Sequence, residues 1–471
     1  MDSFIASLES QTIYLDALDD LSSTSTIPLY FWFENPVPSA ILESSFYRAL
    51  GDFPILAGRI KTGKDLHNFV VIDKARLNLP EYTDTACNVH FQTLKDADYD
   101  VNLLPVDYSS ACKTPVPHGI IGRSMKLAEF HVLRMKDNSG MCIFASVAHM
   151  ILDGKGNYEF LRRWAEISSR FMREAAEQQG TSDIDIQTRN YQHNRSILET
   201  DKRGEWDALE PGISEMFGKS TAIARWIAWI SPELRGKIFK LMITSTKATN
   251  HYYRLSSQAY ENLVELIKPF IESDVSRLSA NDIITALATV ILAQAFYKTG
   301  RLDGETMFVT NVMIDARPRI QRLTEANYVG NAILVNSAAN PLELYLRDCS
   351  PQVLATVACS IRRMVDGINE RYCEQMSYML NKSPSSYVDL LLHIIKVGNS
   401  LASANHTRFG YYELDFGSGS PALVRLAFLV FENDFVIMPG RPDVGGYELT
   451  FTTVPEVARA IKESEYWKYI Y

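Results

Sequence analysis

The chain has 471 residues, of which 46% are hydrophobic and 22% charged, and its formal net charge is −9. This balance is typical of a globular protein, and the length predicts two or three domains of about 150 residues each. The negative charge makes nucleic acid an unfavourable partner, because it repels a phosphate backbone.

Targeting signals are not expected. Met1–Ile5 contains an acid and no basic residue, which argues against a secretory signal. The longest apolar run, Ile283 to Phe296, is too short to cross a bilayer, so we predict no membrane span. The six cysteines lack paired spacing, which predicts reduced thiols in the cytoplasm and neither a zinc site nor disulfides.

The first half contains one clear helix and two clear strands. Ser39 is predicted to cap the helix, whose apolar face carries Leu42, Phe46 and Leu50. Met125 to Leu133 and Met141 to Ala148 are predicted strands. In the second strand both alternating faces are apolar, which indicates a central strand buried on both sides.

The segment from His149 to Gly154 follows this strand. Its sequence is His-Met-Ile-Leu-Asp-Gly, and Gly156 lies just beyond it. Asn157 is predicted to cap the next helix, whose apolar face carries Phe160, Trp164, Ile167 and Phe171. His149 and Asp153 therefore lie at a corner between a strand and a helix.

A polar stretch from Glu174 to about Asp207 predicts a crossover between two halves, although a long loop within one domain would give the same pattern. In the second half, Ser279 and Asp282 form a predicted capping box before a buried helix. Strands and helices mix in both halves, so we predict α/β domains at 1–185 and 226–471, joined by a crossover at 186–225.

His149 has the features of a general base, because it follows a strand that is shielded from water. Asp153 supplies a nearby carboxylate, and Gly154 and Gly156 allow a tight turn. A buried histidine bonded to the backbone is the simpler alternative. Metal binding by His149 and Asp153 is disfavoured, since no third ligand has recognisable spacing. Cys142 and Ser146 point to the opposite face of the strand, so this strand does not supply a nucleophile beside His149.

A second segment, Asp415-Phe416-Gly417-Ser418-Gly419, lies far downstream. The triplet Asp-Phe-Gly also occurs in protein kinases, but the chain has no kinase catalytic loop and no glycine-rich phosphate loop. We therefore interpret the segment as a glycine-rich turn with an architectural role.

With both motifs in order, the chain resembles the BAHD acyltransferases, which move an acyl group from a coenzyme A thioester to an alcohol or amine. His149, Asp153 and Gly154 match the family's His-x-x-x-Asp-Gly motif, and Asp415 to Gly419 match Asp-Phe-Gly-Trp-Gly. Ile314–Arg319 and Tyr328–Asn331 match in the same order. The resemblance covers nearly the whole chain.

The resemblance implies a fold and a mechanism. The fold has two similar chloramphenicol-acetyltransferase-like α/β domains, each a mixed sheet flanked by helices, with a channel between them. The implied substrates are acyl-coenzyme A and a small-molecule alcohol, which meet at His149 in a ternary complex. No permanently bound cofactor and no metal are implied, and we expect a cytoplasmic monomer.

The resemblance also assigns roles to single residues. His149 and Asp153 belong to the catalytic motif, with Asp153 turned away from the substrate and paired with Arg317. Gly154, Asp415, Gly417 and Gly419 give structural support. Two positions depart from the family pattern: Ser418 replaces the usual tryptophan, and Asn405-His406 replaces a frequent Ser-Trp pair. Asn405 and His406 are candidates for substrate binding, or for a solvent-facing pair.

Two alternatives stay open from the sequence. The product could be an amide rather than an ester, because the motifs do not separate the two. The chain could also be a non-catalytic binding protein on the same scaffold, for which the loss of the motif tryptophan is the supporting feature. The acceptor and the acyl group are not encoded in any motif.

Overall fold

The computed structural model describes residues 2–21, 25–63, 68–105, 126–177, 187–198, 208–217, 247–304, 306–347, 349–382, 386, 389–390, 393–394, 399–427 and 432–470. Residues 199–207 and 218–225 of the predicted crossover at 186–225 lie outside the described residues, as does the predicted strand start at Met125. The boundaries of the two predicted domains therefore stay predictions.

The first half forms two sheets. Its strands are β1 (Gln11–Tyr14), β2 (Thr26–Phe33), β3 (Arg59–Thr62), β4 (Asn68–Ile72), β5 (Glu81–Ala86), β6 (Ala128–Arg134) and β7 (Met141–Ala148). A small sheet has the order β1-β4-β3. A larger sheet contains β2-β7-β6-β5, with β6 and β7 antiparallel and β5 and β6 parallel.

The second half forms one mixed sheet and completes the first. Its strands are β8 (Thr249–Leu255), β9 (Met307–Asp315), β10 (Ile333–Pro341), β11 (Ser400–Asn405), β12 (Leu423–Leu426), β13 (Asp434–Pro439) and β14 (Tyr447–Thr453). Six of them form the second sheet in the order β10-β9-β11-β13-β14-β8. The remaining strand, β12, pairs with β2 and extends the first large sheet.

The α-helices lie mainly between and beside these strands. Their bounds are α1 (Asp2–Ser7), α2 (Ala17–Leu21), α3 (Ser39–Leu50), α4 (Phe91–Asp96), α5 (Gly154–Ala176), α6 (Ile213–Met216), α7 (Ser257–Ile267), α8 (Ala280–Lys298), α9 (Gln321–Glu325), α10 (Leu342–Leu346), α11 (Pro351–Asp366), α12 (Glu370–Asn381) and α13 (Pro455–Lys462). The predicted α/β architecture is confirmed.

Strand β7 matches its prediction at both ends. All its residues are buried, and it lies at the centre of the five-stranded sheet. One face packs in the core formed with α3 and α5, and the other packs against Tyr30 and Trp32 of β2. Burial on both sides explains why this strand lacks an apolar–polar alternation.

Both predicted helix caps in the first half are wrong. Helix α3 begins at Ser39 itself, behind Pro38, and no side chain caps it. Helix α5 begins three residues before Asn157, because the Asp153 carboxylate accepts a hydrogen bond from the Gly156 amide at 2.9 Å. The predicted apolar faces are nevertheless buried, since a shift in the cap does not change the helical period.

Helix α8 confirms the predicted capping box between Ser279 and Asp282. By length and composition alone this helix could cross a membrane, yet most of its residues are buried inside the protein. It packs against α11, α13 and the second sheet, so it is the central helix of the second core.

The two cores meet along one face of the second sheet. Val436 and Met438 of β13 and Val329 pack with the first core, as do Tyr411 and Phe416. The segment around β12 thus belongs to the first sheet, although it falls inside the predicted domain 226–471. The chain returns from the second sheet to the first after β11, which ties the two halves together.

Candidate active site

His149 lies in the turn that joins β7 to α5, at the boundary between the two sheets. Its backbone amide donates to the carbonyl of Ser25 at 2.9 Å, which fixes the turn to the first domain. Its imidazole reaches across to Asn331, which precedes β10 in the second domain. The site is therefore built from both halves of the chain.

Asp153 is fully buried and holds the two halves together. Its carboxylate pairs with Arg317, with Nη2 2.9 Å from Oδ2, and accepts from the Ala332 amide at 3.0 Å. It also caps α5 through Gly156. The ion pair predicted between Asp153 and Arg317 is confirmed.

Arg317 is anchored on every side. Its Nη2 also donates to the carbonyl of Gly330 at 2.6 Å, and its Nε donates to the carbonyl of Tyr328 at 2.8 Å. Nη1 donates to Asp315 at 2.8 Å. These contacts hold the Tyr328–Asn331 segment, which carries the residue that hydrogen bonds to His149.

Close approach of the two domains explains the glycines of the turn. A Cβ on Gly156 would lie 2.1 Å from the carbonyl oxygen of Val329, so only glycine fits against the second domain here. Gly154, the first residue of α5, faces the rings of Phe409 and His406. The turn therefore places the helix start within reach of a second histidine.

The hydrogen bonds around Asn331 fix the tautomer of His149. The Asn331 Nδ2 group donates both to the carbonyl of His149 at 2.7 Å and to Oδ1 of Asp19 at 2.8 Å. Its Oδ1 atom is consequently the one that faces Nδ1 of His149, at 3.2 Å. Because this oxygen only accepts, Nδ1 carries the proton and Nε2 carries the free lone pair.

Asp19 is the buried anchor of this arrangement. Arg195 pairs with it at 3.0 Å and also donates to the carbonyls of Ile151 and His193 at 2.6 Å each. The array of His149, Asn331, Asp19 and Arg195 was missed by the sequence analysis. The match at Tyr328–Asn331 was the available signal, but it gave no role to Asn331, and Asp19 carried no signal beyond its place near the start of the chain.

The electrostatics favour a neutral His149. Burial is the main cause that lowers the pKa of His149 from its ordinary value. The residue is nonetheless partly exposed, and Nε2 makes no hydrogen bond to any part of the chain that the structure describes. A neutral imidazole with an accessible lone pair can accept a proton.

A strip of partly exposed residues runs along the second sheet beside His149. Alternate residues of β9, β10 and β11 lie on the sheet face opposite α8, whereas the intervening Thr310 and Ser403 face α8 and bond to Thr289 and Thr285. Several residues on or next to this opposite face are partly exposed: Met313, Ser337, Ala402, Ala404 and, just after β11, His406. We refer to this strip as the interdomain groove.

The structure separates the two candidate substrate-binding residues. Asn405 bonds to Asn281 at 3.0 Å and accepts from Thr407, so its amide supports the end of β11. His406 lies near His149, and burial together with the nearby His149 lowers the pKa of His406 to about 4. Its Nδ1 lies 3.2 Å from the hydroxyl of the fully buried Tyr411.

The Asp415 to Gly419 loop has contacts of a different kind. The exposed Asp415 carboxylate accepts from the amides of Gly417 and Gly419 at 2.7 and 2.8 Å. Phe416 is buried with its ring edge-on to Trp164, and Ser168 donates to its carbonyl at 2.7 Å. The loop is thus a turn that its own aspartate closes and that Phe416 fastens to α5.

Gly417 and Ser418 fit this architectural role. Gly417 has a φ of +105°, and a Cβ there would lie 2.4 Å from the side chain of Met172. Ser418 donates to the carbonyl of Asn35 at 2.7 Å, where the resemblance predicts a tryptophan. The serine therefore replaces bulk with a hydrogen bond to the loop after β2.

Comparison with known proteins identifies the family. The Transferase family model matches residues 6–193 and 244–467. A hydroxycinnamoyl-CoA:piscidic acid hydroxycinnamoyltransferase of Actaea racemosa is 22% identical over 467 residues, covering 92% of this chain and 90% of the relative. The BAHD acyltransferase DCR of Arabidopsis thaliana is 25% identical over 350 residues, covering 72% and 62%. The chain belongs to the Transferase family, as a BAHD acyltransferase.

Solved structures show the same fold. TRI101 of F. graminearum, complexed with coenzyme A and deoxynivalenol, superposes with a TM-score of 0.73 at 15% identity, over 98% of this chain and 99% of that one. Vinorine synthase superposes with a TM-score of 0.61 at 14% identity, over 96% and 95%. The predicted fold of two α/β domains with mixed sheets is confirmed for this BAHD acyltransferase.

Proposed function

We propose that this BAHD acyltransferase moves an acyl group from acyl-coenzyme A to a hydroxyl of a small-molecule acceptor, with His149 as general base. The free Nε2 of His149, at the head of the interdomain groove, is the observation that carries the proposal. It gives the acceptor hydroxyl a base at a partly exposed position between the two halves of the chain.

The proposed reaction takes place in a ternary complex of the enzyme, acyl-coenzyme A and the acceptor. The acceptor oxygen attacks the thioester carbonyl while Nε2 of His149 takes its proton, and a tetrahedral oxyanion forms. The oxyanion collapses, the carbon–sulfur bond breaks, and the coenzyme A thiolate takes the proton from His149. A positioned base contributes about 10²–10⁴-fold, and alignment of the two bound substrates contributes the rest.

The other site residues have positioning roles in this proposal. Asn331 and Asp19 hold the Nδ1–H tautomer, while Asp153 and Arg317 hold the turn against the second domain. His406, neutral at neutral pH because its pKa is about 4, is our candidate for contact with the bound substrates. Asn405 is assigned to structural support, since its amide is committed to Asn281 and Thr407.

The relatives support coenzyme A as the acyl carrier. The Actaea protein is named a hydroxycinnamoyl-CoA transferase, and a phenolic glucoside malonyltransferase of Arabidopsis thaliana is 22% identical over 328 residues. TRI101 was solved with coenzyme A and deoxynivalenol. A hydroxyl acceptor is our choice over an amine, and the expected cytoplasmic monomer stays a prediction.

Free-thiol release tests the function. The protein is mixed with acetyl-, malonyl- or hydroxycinnamoyl-coenzyme A and with pools of alcohols or of amines, and products are identified by mass spectrometry. We expect thiol release that depends on an alcohol and yields an ester. Release with amines only, giving amides, would contradict the ester, and no release from any donor would contradict the transferase.

A further inference from the structure

A second polar cluster lies in the interdomain groove, away from His149. Asn311 of β9 is fully buried, and its Oδ1 accepts from the Ser337 hydroxyl at 2.7 Å. The Ser337 oxygen also lies 2.9 Å from Nε2 of His393. The Asn311 Nδ2 group has no hydrogen-bond partner in the part of the chain that the structure describes.

An unpaired amide in this place is unfavourable for folding alone. A buried polar group without a partner costs about 1–3 kcal/mol, so such groups are rare unless something else satisfies them. Ser337, His393 and Ala402 around it are partly exposed, so the buried Asn311 amide lies directly beneath side chains that solvent reaches. Its amide therefore has the position of a group that a ligand satisfies.

Strand register measures how far this cluster lies from the reaction centre. Asn311 is paired with Ser337 on β10 and with Ala402 on β11. His406 follows Ala402 by four positions and lies close to His149 and to the start of α5. Four residues at about 3.3 Å each place the Asn311 amide about 13 Å along the groove from the position of His406.

The surface between the two ends is apolar. Ala404 and Met313 occupy the intermediate level of β11 and β9, and both are partly exposed. The side chains at 402 and 404 are small, since both residues are alanine. A ligand that fits this strip has a polar atom at each end and an apolar middle.

The chemistry of the distal end follows from its donors and acceptors. The single Ser337 hydrogen goes to Asn311, so Nε2–H of His393 donates to the Ser337 oxygen and Asn311 Nδ2 is left as a donor. If the side-chain amide of Asn311 has the flipped orientation, its Oδ1 is the atom without a hydrogen-bond partner, and it is then an acceptor. A hydroxyl group satisfies both orientations, because it donates and accepts.

We infer that the Asn311–Ser337–His393 cluster is a distal acceptor subsite, which binds a second hydroxyl on an elongated acceptor whose first hydroxyl is acylated at His149. This inference rests on the proposed function, since it assigns the groove to the acceptor rather than to the acyl chain. It predicts a preference among acceptors that no motif of the sequence encodes.

Matched pairs of alcohols test the subsite. Thiol release from acetyl-coenzyme A is compared for n-butanol, n-decanol and their α,ω-diols, because extended decanediol spans the groove and butanediol does not. We expect kcat/KM to be about tenfold higher for decanediol than for decanol, as one hydrogen bond in a buried site allows, with no such gain for butanediol. Equal values for the decane pair would overturn the inference.

Two variants locate the effect. Asn311→Ala, or Ser337→Ala if the first does not fold, should remove the decanediol preference while the KM for acetyl-coenzyme A is unchanged. Asn336→Ala is the matched control, because Asn336 is buried on the neighbouring strand but donates to Met364 on the opposite face. A preference that survives Asn311→Ala, or a changed KM for the donor instead of the alcohol, would contradict the subsite.

A binding measurement tests the subsite even if the proposed acyl transfer is wrong. If no alcohol releases thiol, the same pairs are compared by their effect on the melting temperature. The subsite predicts that decanediol raises the Tm of the parent more than decanol does. In Asn311→Ala the two alcohols should raise Tm by the same amount. The same shift for both alcohols in the parent would reject the subsite as well.

Discussion

The two sequence motifs of this chain both contact α5 but are built in opposite ways. In the His149–Gly154 turn, side chains reach across to the second domain, through Asn331 and Arg317. In the Asp415–Gly419 loop, the carboxylate folds back on its own backbone. The first arrangement leaves Nε2 of His149 without a hydrogen bond in the described residues, whereas the second satisfies the Asp415 carboxylate within its own loop.

We expect this difference to separate residues that affect the reaction from residues that only stabilise the fold. A residue that holds its own loop can be replaced at a local cost in stability. We expect a residue that spans the domain boundary beside His149 to affect the reaction itself. The comparison between the turn and the loop predicts how substitutions in each should differ.

The largest effect is expected for His149→Ala. Turnover should fall by about 10²–10⁴-fold because the base is lost, while the melting temperature stays near that of the parent. His90→Ala is a suitable control, since His90 is exposed and pairs only with Asp137 in the described contacts. Substantial turnover in a folded His149→Ala protein would remove the distinction between turn and loop.

Asp153→Asn should reduce stability and activity together. The substitution removes the charge partner of the buried Arg317, and breaking a buried ion pair costs about 3–5 kcal/mol. Asp415→Asn makes the same chemical change in the exposed loop and should cost far less. Denaturant unfolding of both variants measures the contrast, and equal losses would show that Asp153 does not hold the domains together.

Activity should depend on pH through His149. Since burial lowers the pKa of His149 and the neutral form is the active one, single-turnover rates should be flat around neutral pH. Below that pKa they should fall about tenfold for each pH unit. The fall should persist in His406→Gln, because His406 titrates only near a pKa of about 4. Loss of activity between alkaline and neutral pH would contradict a lowered pKa.

The smallest effect is expected for Ser418→Ala. It removes one hydrogen bond to Asn35 and should cost about 0.5–1.5 kcal/mol of unfolding free energy, with little change in turnover. Ser420→Ala, in the exposed end of the same loop, serves as the control. A large loss of turnover in Ser418→Ala would give the loop a catalytic part.

Local patterns predicted the parts of the molecule that depend on local physics. The buried strand at Met141–Ala148 and the capping box at Ser279 were found because continuous burial and capping chemistry are written in adjacent residues. The caps predicted at Ser39 and Asn157 were both wrong. Asp153 and Asn157 are both suitable caps for the second helix, and Asp153 is the one that caps it. The glycines between them hide the helical pattern in the sequence, and the contact of Gly156 with Val329 is visible only in the structure.

Contacts between distant residues lay beyond the sequence. Asn331 bonds to Asp19 across 312 positions, and Asn311 meets Ser337 and His393 only through strand register. The resemblance supplied the Asp153–Arg317 pair, because both residues belong to motifs. It supplied neither the tautomer of His149 nor the distal cluster, since these depend on which sheet face each side chain occupies.

We propose that His149 is neutral at neutral pH, with its proton on Nδ1 and its lone pair on Nε2. Nitrogen NMR of protein labelled at its histidine rings, with His149→Ala to assign the signal, measures this state directly. We expect a neutral ring with Nδ1 protonated and Nε2 bare at neutral pH. A proton on Nε2, or a doubly protonated ring, would contradict the account.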